Sequence, residues 1–236
     1  MIKFFTKIIL LTLIISCFTI IVRAQVGYNY AQYDFGFGGQ LNQLFGDTKT
    51  IKTTPSGDIN FTYNQTPFTN FVFDVQAGSL AGGDSVKDKF GRQFSGTFTS
   101  FIFRGQLQAG ELMDYSKSPF ANAMKNFYLS AGIGYLVDHI TSINRYSLQI
   151  PGFYTPGLQN SNIVFIPIRI GYEFKIYNQY NQPSVRIDLG YEFNYTFSDE
   201  LDGFVAGKNT DIYSQICIGV KFALGSVTSY RKPIHY

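Results

Sequence analysis

The chain has 236 residues, of which 15% are charged, against about 25% in ordinary soluble domains, so it has few ionic groups to solvate a large surface. It holds 24 Phe, 17 Tyr and no Trp, and after Val22 no long uncharged apolar block occurs, so the pattern is not that of helical membrane spans. The formal net charge of +3 is carried by Lys3, Lys7 and Arg23; beyond them acidic and basic residues balance, and nucleic acid is not an expected partner.

Those first residues have the layout of a secretory signal peptide: a basic start, an almost wholly apolar run from Ile8 to Val22, and Val22-Arg23-Ala24 ahead of Gln25. Residues 1–24 are therefore expected to be removed. The run is rather short for the roughly 20 apolar residues of a membrane helix. Ile14-Ile15-Ser16-Cys17 also resembles a lipobox, which would place a lipid on Cys17, although the apolar run continues past it through Ile21. Either processing event leaves Cys217 without an internal disulfide partner.

From there the chain reads as strands. Side chains alternate between the two faces of a strand, so apolar residues at every second position mark one greasy face. The first strand lies near 28–44, with Tyr33, Phe35, Phe37 and Leu41 on one face. A polar loop at 47–58 contains Pro55, Ser56 and Gly57, and a short strand at 59–64 turns at Gln65-Thr66-Pro67 into a third at 69–81. The fourth spans 92–113, where Phe101, Phe103, Leu107 and Ala109 oppose Arg104, Gln106 and Gln108; Phe94 and Phe98 fall on the other parity, which predicts a bulge near Thr99. The fifth lies at 126–137 and the sixth at 164–176, where Ile166, Ile168, Ile170, Tyr172 and Phe174 face away from Arg169, Glu173 and Lys175.

The seventh, SVRIDLGYEFNYTF at 184–197, is the clearest. Ile187, Leu189, Tyr191 and Phe193 share a face; Arg186, Asp188 and Glu192 share the opposite one. The eighth, at 212–224, sets Ile216, Ile218, Val220, Phe222 and Leu224 against Cys217, Gly219 and Lys221. Connections after strands one, three, five and seven (47–58, 82–91, 138–162 and 198–210) are polar, while those after strands two and six are short. This is the loop pattern of an even-stranded barrel whose termini share the periplasmic side. The expected fold is all-β: an eight-stranded antiparallel up-and-down transmembrane β-barrel at 25–225, with a short polar tail at 226–236.

These features resemble the small outer-membrane β-barrel proteins common in Bacteroidetes, relatives of the OmpA/OmpX-type barrels and often labelled porin-like. Three places carry the likeness: QLNQLFGD at 40–47, FSDELDG at 197–203, and the final strand, where Gly219, Phe222 and Leu224 are spaced like the signal read by the barrel-assembly machinery. The resemblance implies residence in the cell outer membrane of a Gram-negative bacterium. It also implies outer-membrane lipid as surroundings and the assembly machinery as a partner during biogenesis. Two departures are the residues beyond Gly225 and the lack of a peptidoglycan-binding domain.

The alternation assigns Asp74, Arg104, Arg169, Glu173, Lys175, Arg186, Asp188, Glu192 and Lys221 to the lumen. It assigns Ile168, Ile170, Tyr172, Ile187, Leu189, Tyr191, Phe193, Ile218, Val220 and Phe222 to lipid. An eight-stranded barrel has room only for side chains or one small ligand, so opposite charges inside it are expected to pair and fill it. Charge rings can also select ions, which keeps a narrow porin-like channel open as an alternative. A soluble lipocalin-like barrel around an apolar ligand would need an apolar lumen instead. The outer loops, above all 138–162 with its Tyr, Pro, Gly and Asn, read as a loosely held surface for an extracellular ligand that the sequence does not identify.

Catalysis finds little support. The chain has only His139 and His235, and His139, near Thr141 and Ser142, lacks a recognisable nucleophile constellation. No cofactor motif or His/Cys metal spacing is present; Asp199, Glu200 and Asp202 could bind calcium but read first as a solvated loop tip.

Overall fold

The computed structural model describes residues 27–116, 118–206 and 210–231. Eight strands, β1 (Gly27–Phe45), β2 (Thr53–Asn64), β3 (Thr69–Gly83), β4 (Gln93–Gln108), β5 (Phe127–Asn144), β6 (Asn160–Tyr177), β7 (Pro183–Thr196) and β8 (Ile212–Arg231), form a closed barrel. Each strand pairs antiparallel with its sequence neighbours, and β8 closes on β1. The architecture is the all-β, up-and-down one that period-2 patterning predicts. Among the described residues no helix is long and apolar enough to cross a membrane. The expected signal peptide at 1–24 lies outside the described residues.

Several strands depart from their expected limits, for identifiable reasons. The polar stretch 53–58 is strand, not loop. Pro55 faces Leu41 across β1, and the β2–β3 ladder starts only at Ser56 and Gly78, so its missing N–H falls beyond that ladder. β5 and β6 continue to Asn144 and from Asn160, which reduces the expected loop 138–162 to residues 145–159. β4 stops at Gln108 and gives way to two short helices, α1 (Ala109–Leu112) and α2 (Pro119–Met124). Ser118 caps α2 by accepting from the Ala121 amide at 3.1 Å, and proline occupies the first turn, where no N–H is needed.

The bulge expected near Thr99 is absent from β4, whose alternation runs unbroken with Phe94, Phe98, Ile102 and Arg104 all buried. The irregularity lies across the ladder in β5, where Ser95 faces Ser142 but Gly96 faces Ile140. Phe94 and Phe98 change parity because they point inward.

At the other end, β8 runs past Gly225 to Arg231, so most of the polar tail expected at 226–236 is strand paired with Gly27–Ala31. Gly225 adopts a φ of 80° where the β1–β8 register shifts, the left-handed geometry that a glycine bulge requires. A glycine that signals a strand end in the sequence is here a bend within the strand. Residues 232–236 lie outside the described residues.

The burial is inverted relative to a soluble barrel. Arg104, Arg186 and Lys221 are 2% exposed, whereas Phe37, Ile59, Ile133 and Ile218 are 52–58% exposed on the outer wall. The interior is therefore where the ionic side chains lie, and it is the place to look for function.

Candidate functional site

Nearest the chain termini the interior holds a continuous run of ion pairs. Arg186 pairs with Asp34 and lies 3.5 Å from Glu173; Lys221 is 3.4 Å from both Glu173 and Asp188. Arg169 stands 3.6 Å from Asp188 and 2.8 Å from Glu192, and Arg104 bridges Glu192 and Asp74 at 2.7 Å each. Alternation on β6, β7 and β8 turns these groups to one interior, where Arg169 and Glu192 sit side by side as register partners on neighbouring strands. Neutral groups complete the set. Tyr128 donates its hydroxyl to Asp188 at 2.5 Å, Gln106 to Glu173 at 3.3 Å, and Asn64 to Asp34 at 2.8 Å.

Lys175 stands apart from that run. Its ammonium donates to the Pro67 carbonyl at 2.8 Å and to Gln108 at 2.7 Å, and sits 4.8 Å from the Phe68 ring centroid. Phe68, Tyr115 and Tyr230 form a small aromatic cluster at this end.

Above the ions comes a layer of amides. Gln215 donates to Asn42 at 2.8 Å and to Gln76 at 3.3 Å, and accepts from Asn194 at 3.3 Å. Then the interior turns apolar. Leu44, Leu80, Phe94, Phe98, Ile102, Leu136, Ile140, Ile163, Phe165 and Tyr213 pack together with Leu201 and Phe204, which the β7–β8 loop drops into the barrel mouth. Leu201 and Phe204 are fully buried.

Two buried carboxylates hold that loop. Asp211 accepts from the amides of Leu201 at 2.8 Å and Asp202 at 3.2 Å. Asp202 accepts from Phe204 N at 2.9 Å and from Asp47 N, in the β1–β2 connection, at 2.8 Å. Burial raises both carboxyls above the ordinary carboxylate range, and the charge of Asp202 raises Asp211 further.

The remaining connections at this end interlock. Arg92 donates to the Asp47 carbonyl at 2.9 Å, Ser147 to the Lys89 carbonyl at 2.7 Å, and Phe90 meets Phe153 at 5.1 Å between ring centroids. Residues 145–159 are thus tied to the β3–β4 connection and carry a bridge between Tyr146 and Tyr154, unlike the loosely held loop expected from their composition. Exposed on this cap are Tyr146, Leu148 and Tyr154.

Sequence reasoning omitted Asp34, although its place between outward Tyr33 and Phe35 gives it inward parity, and Tyr128, which reads as one more aromatic. It also missed the apolar half of the interior, since alternation alone does not say which greasy face looks out.

On the outer wall, Ile168, Ile170, Leu189, Tyr191, Phe193, Ile218 and Phe222 are exposed, and Tyr172, Ile187 and Val220 are partly exposed. Gly219 lies on the inward parity opposite Gly38, whereas Phe222 and Leu224 point outward opposite Phe35 and Tyr33. His139 has its Nδ1 2.5 Å from Asn160 Oδ1, and the Thr141 hydroxyl donates instead to the Ser95 carbonyl, so the two are not brought together. Asp202 is committed to backbone amides rather than to a shared site with Asp199 and Glu200. Among the described residues no group of three or more His, Cys, Asp or Glu is placed to hold a metal ion.

No family model matches the sequence, and no curated protein matches it. Solved structures similar to this chain include Ail, the attachment invasion locus protein of Yersinia pestis, 9% identical, covering 85% of this chain and 99% of that one at a TM-score of 0.46. Neisserial surface protein A (NspA) is 12% identical, covers 82% and 98% respectively, and gives 0.47. The outer membrane protein OprG from Pseudomonas aeruginosa is 12% identical, covers 84% and 99%, and gives 0.38.

Proposed function

We propose that the protein is an integral outer-membrane barrel whose lumen is closed by its own side chains, and which serves as a structural or surface-interaction scaffold through its capped loop end. The observation that carries this reading is the inverted burial. Ile168, Ile170, Leu189, Tyr191, Phe193, Ile218 and Phe222 stand exposed while the ion pairs are enclosed. Water would penalise that arrangement; acyl chains would not. Tyr172, Ile187 and Val220 belong to the same lipid-facing set. The termini and short turns then lie in the periplasm, and the interlocked connections face outward.

Closure of the lumen is supported by its contents from end to end. An aromatic cluster, an ion-pair run, an amide layer and an apolar plug succeed one another in a barrel of the smallest membrane-spanning size. The cap, with exposed Tyr146, Leu148 and Tyr154, is the surface offered to an extracellular ligand. Gly219, Phe222 and Leu224 remain the segment assigned to the assembly machinery. In this reading Phe222 and Leu224 present side chains to lipid while Gly219 takes the inward parity.

Fractionation tests the membrane assignment: the protein should stay with membranes through carbonate washing and shift its gel mobility on heating. A freely soluble, heat-insensitive protein would defeat it. Planar-bilayer recording tests closure, with no sustained conductance expected; a steady large conductance would establish the porin-like alternative.

A further inference from the structure

Among the described residues, the connection between β4 and β5 is the one short-side connection that carries helices, and it exposes large apolar side chains. Leu112 is 77% and Phe120 75% exposed, among the highest values for large hydrophobic residues in the described chain. Tyr180, in the β6–β7 turn at the same end, is 77% exposed. Their surroundings are not a pore lining. Tyr172, which has the outward parity of Ile168, Ile170 and Phe174, donates its hydroxyl to the Ala123 carbonyl at 2.7 Å. That bond holds α2 against the outside of the wall, beside the terminal-end part of the apolar column on β6, which continues through Phe174 and Ile176. The beginning of the connection reaches under the barrel instead, where Glu111 accepts from Thr66 at 2.7 Å and Tyr230 at 3.0 Å. α2 itself, PFANAM, contains no charged residue.

We propose that α2 rests in the inner-leaflet interface of the outer membrane, with the Phe120 ring inserted among phospholipid chains just below the glycerol level. The occupant is lipid because the exposed ring continues a surface already assigned to lipid, and because the helix offers only apolar and amide groups to whatever covers it. An aromatic at that depth follows the preference of rings for the membrane boundary, and an uncharged turn of helix can enter it without burying an ion. The connection then acts as an in-plane anchor that fixes how deep the barrel sits. This inference rests on the transmembrane reading above.

The chain has no tryptophan, so a single introduced one reports alone. Phe120→Trp and, separately, Leu189→Trp would be refolded into phosphatidylcholine vesicles carrying bromine at defined acyl positions, with heat-modifiable mobility confirming folding. Both emissions should be blue-shifted and quenched, Leu189→Trp most strongly by bromine deep in the chains and Phe120→Trp by bromine near the glycerol. Quenching of Leu189→Trp with a red, unquenched Phe120→Trp would overturn the anchor and leave the membrane reading intact. A blue-shifted Phe120→Trp that bromine does not quench would show a protein cover, and would overturn it as well. Failure of both positions to be quenched would overturn the membrane reading itself. If Phe120→Trp does not fold, Pro119→Trp, at the exposed start of the same helix, is the second probe, with the same outcomes.

Discussion

The interior of the barrel is filled in two different ways. Near the termini, β6, β7 and β8 contribute Arg169, Glu173, Arg186, Asp188, Glu192 and Lys221 to a run of alternating charges that reaches Asp34 on one side and Asp74 on the other. Beneath the loops, β4, β5 and β6 contribute Phe94, Phe98, Leu136, Ile140, Ile163 and Phe165 to a hydrocarbon cluster closed by Leu201 and Phe204. Both halves are buried, yet they fail differently. A buried ion that loses its counter-ion is left with an uncompensated desolvation cost, whereas an apolar cluster that loses a side chain can partly collapse onto the gap. The ionic half also depends on register, because a one-residue slip would send every charge into lipid.

The largest effect should therefore come from Arg104→Leu, which strands the Asp74 carboxylate and leaves Glu192 with Arg169 alone. A loss of about 3–5 kcal/mol is expected for breaking a buried pair, read as the urea midpoint of the heat-modifiable form in lipid. Phe204→Ala, in the apolar half, should cost roughly 3 kcal/mol, the low end for removing a buried ring, since the loop can settle. The two sites share no partner, so the double variant should show the sum; strong non-additivity would mean that the halves are one cooperative unit.

On the outer wall, Ile187→Arg should cost about 2–3 kcal/mol, toward the lower part of the range for a charge facing lipid. Equal stability of variant and wild type in bilayers would count against the assigned faces.

A subtler difference between the halves is their response to pH. Asp202 and Asp211 have carboxyls raised above the ordinary range by burial, so the stability they lend is complete at pH below that range and declines as pH rises through their folded-state values. Hydrogen exchange in the β7–β8 connection should accelerate as the medium goes from mildly acidic to alkaline, and Asp211→Asn should flatten that trend. Exchange that slows with rising pH, after correction for intrinsic rates, would contradict the mechanism. The smallest effect belongs to the bend in β8. Gly225→Ala places a side chain at φ 80° with only ordinary contact to Tyr33, so about 1 kcal/mol from the left-handed backbone is expected, measurable as a small midpoint shift.

The strand count and the inward charges were legible because alternation is a strict geometric consequence of extended backbone, and β7 obeys it without exception. Strand ends were less so. Pro55 and Gly225 carry the chemistry of turns, but the missing N–H of the first falls past a ladder end and the positive φ of the second serves a bulge. Phe94 and Phe98 misled for a related reason: parity tells which residues share a face, and only tertiary neighbours tell what that face meets. The burial of Asp202 and Asp211 carried no local signal, since a solvated acidic loop tip and a carboxylate that ties two connections together read alike in one dimension.

The most direct test of the central claim is a nitroxide scan along β7, in a background with Cys17 and Cys217 replaced by serine and the protein refolded into vesicles. Labels at Leu189, Tyr191 and Phe193 should collide readily with oxygen and hardly at all with a water-soluble nickel chelate, while one at Thr196, whose side chain is enclosed, should be shielded from both. Nickel access dominating at the three outward positions would contradict the account.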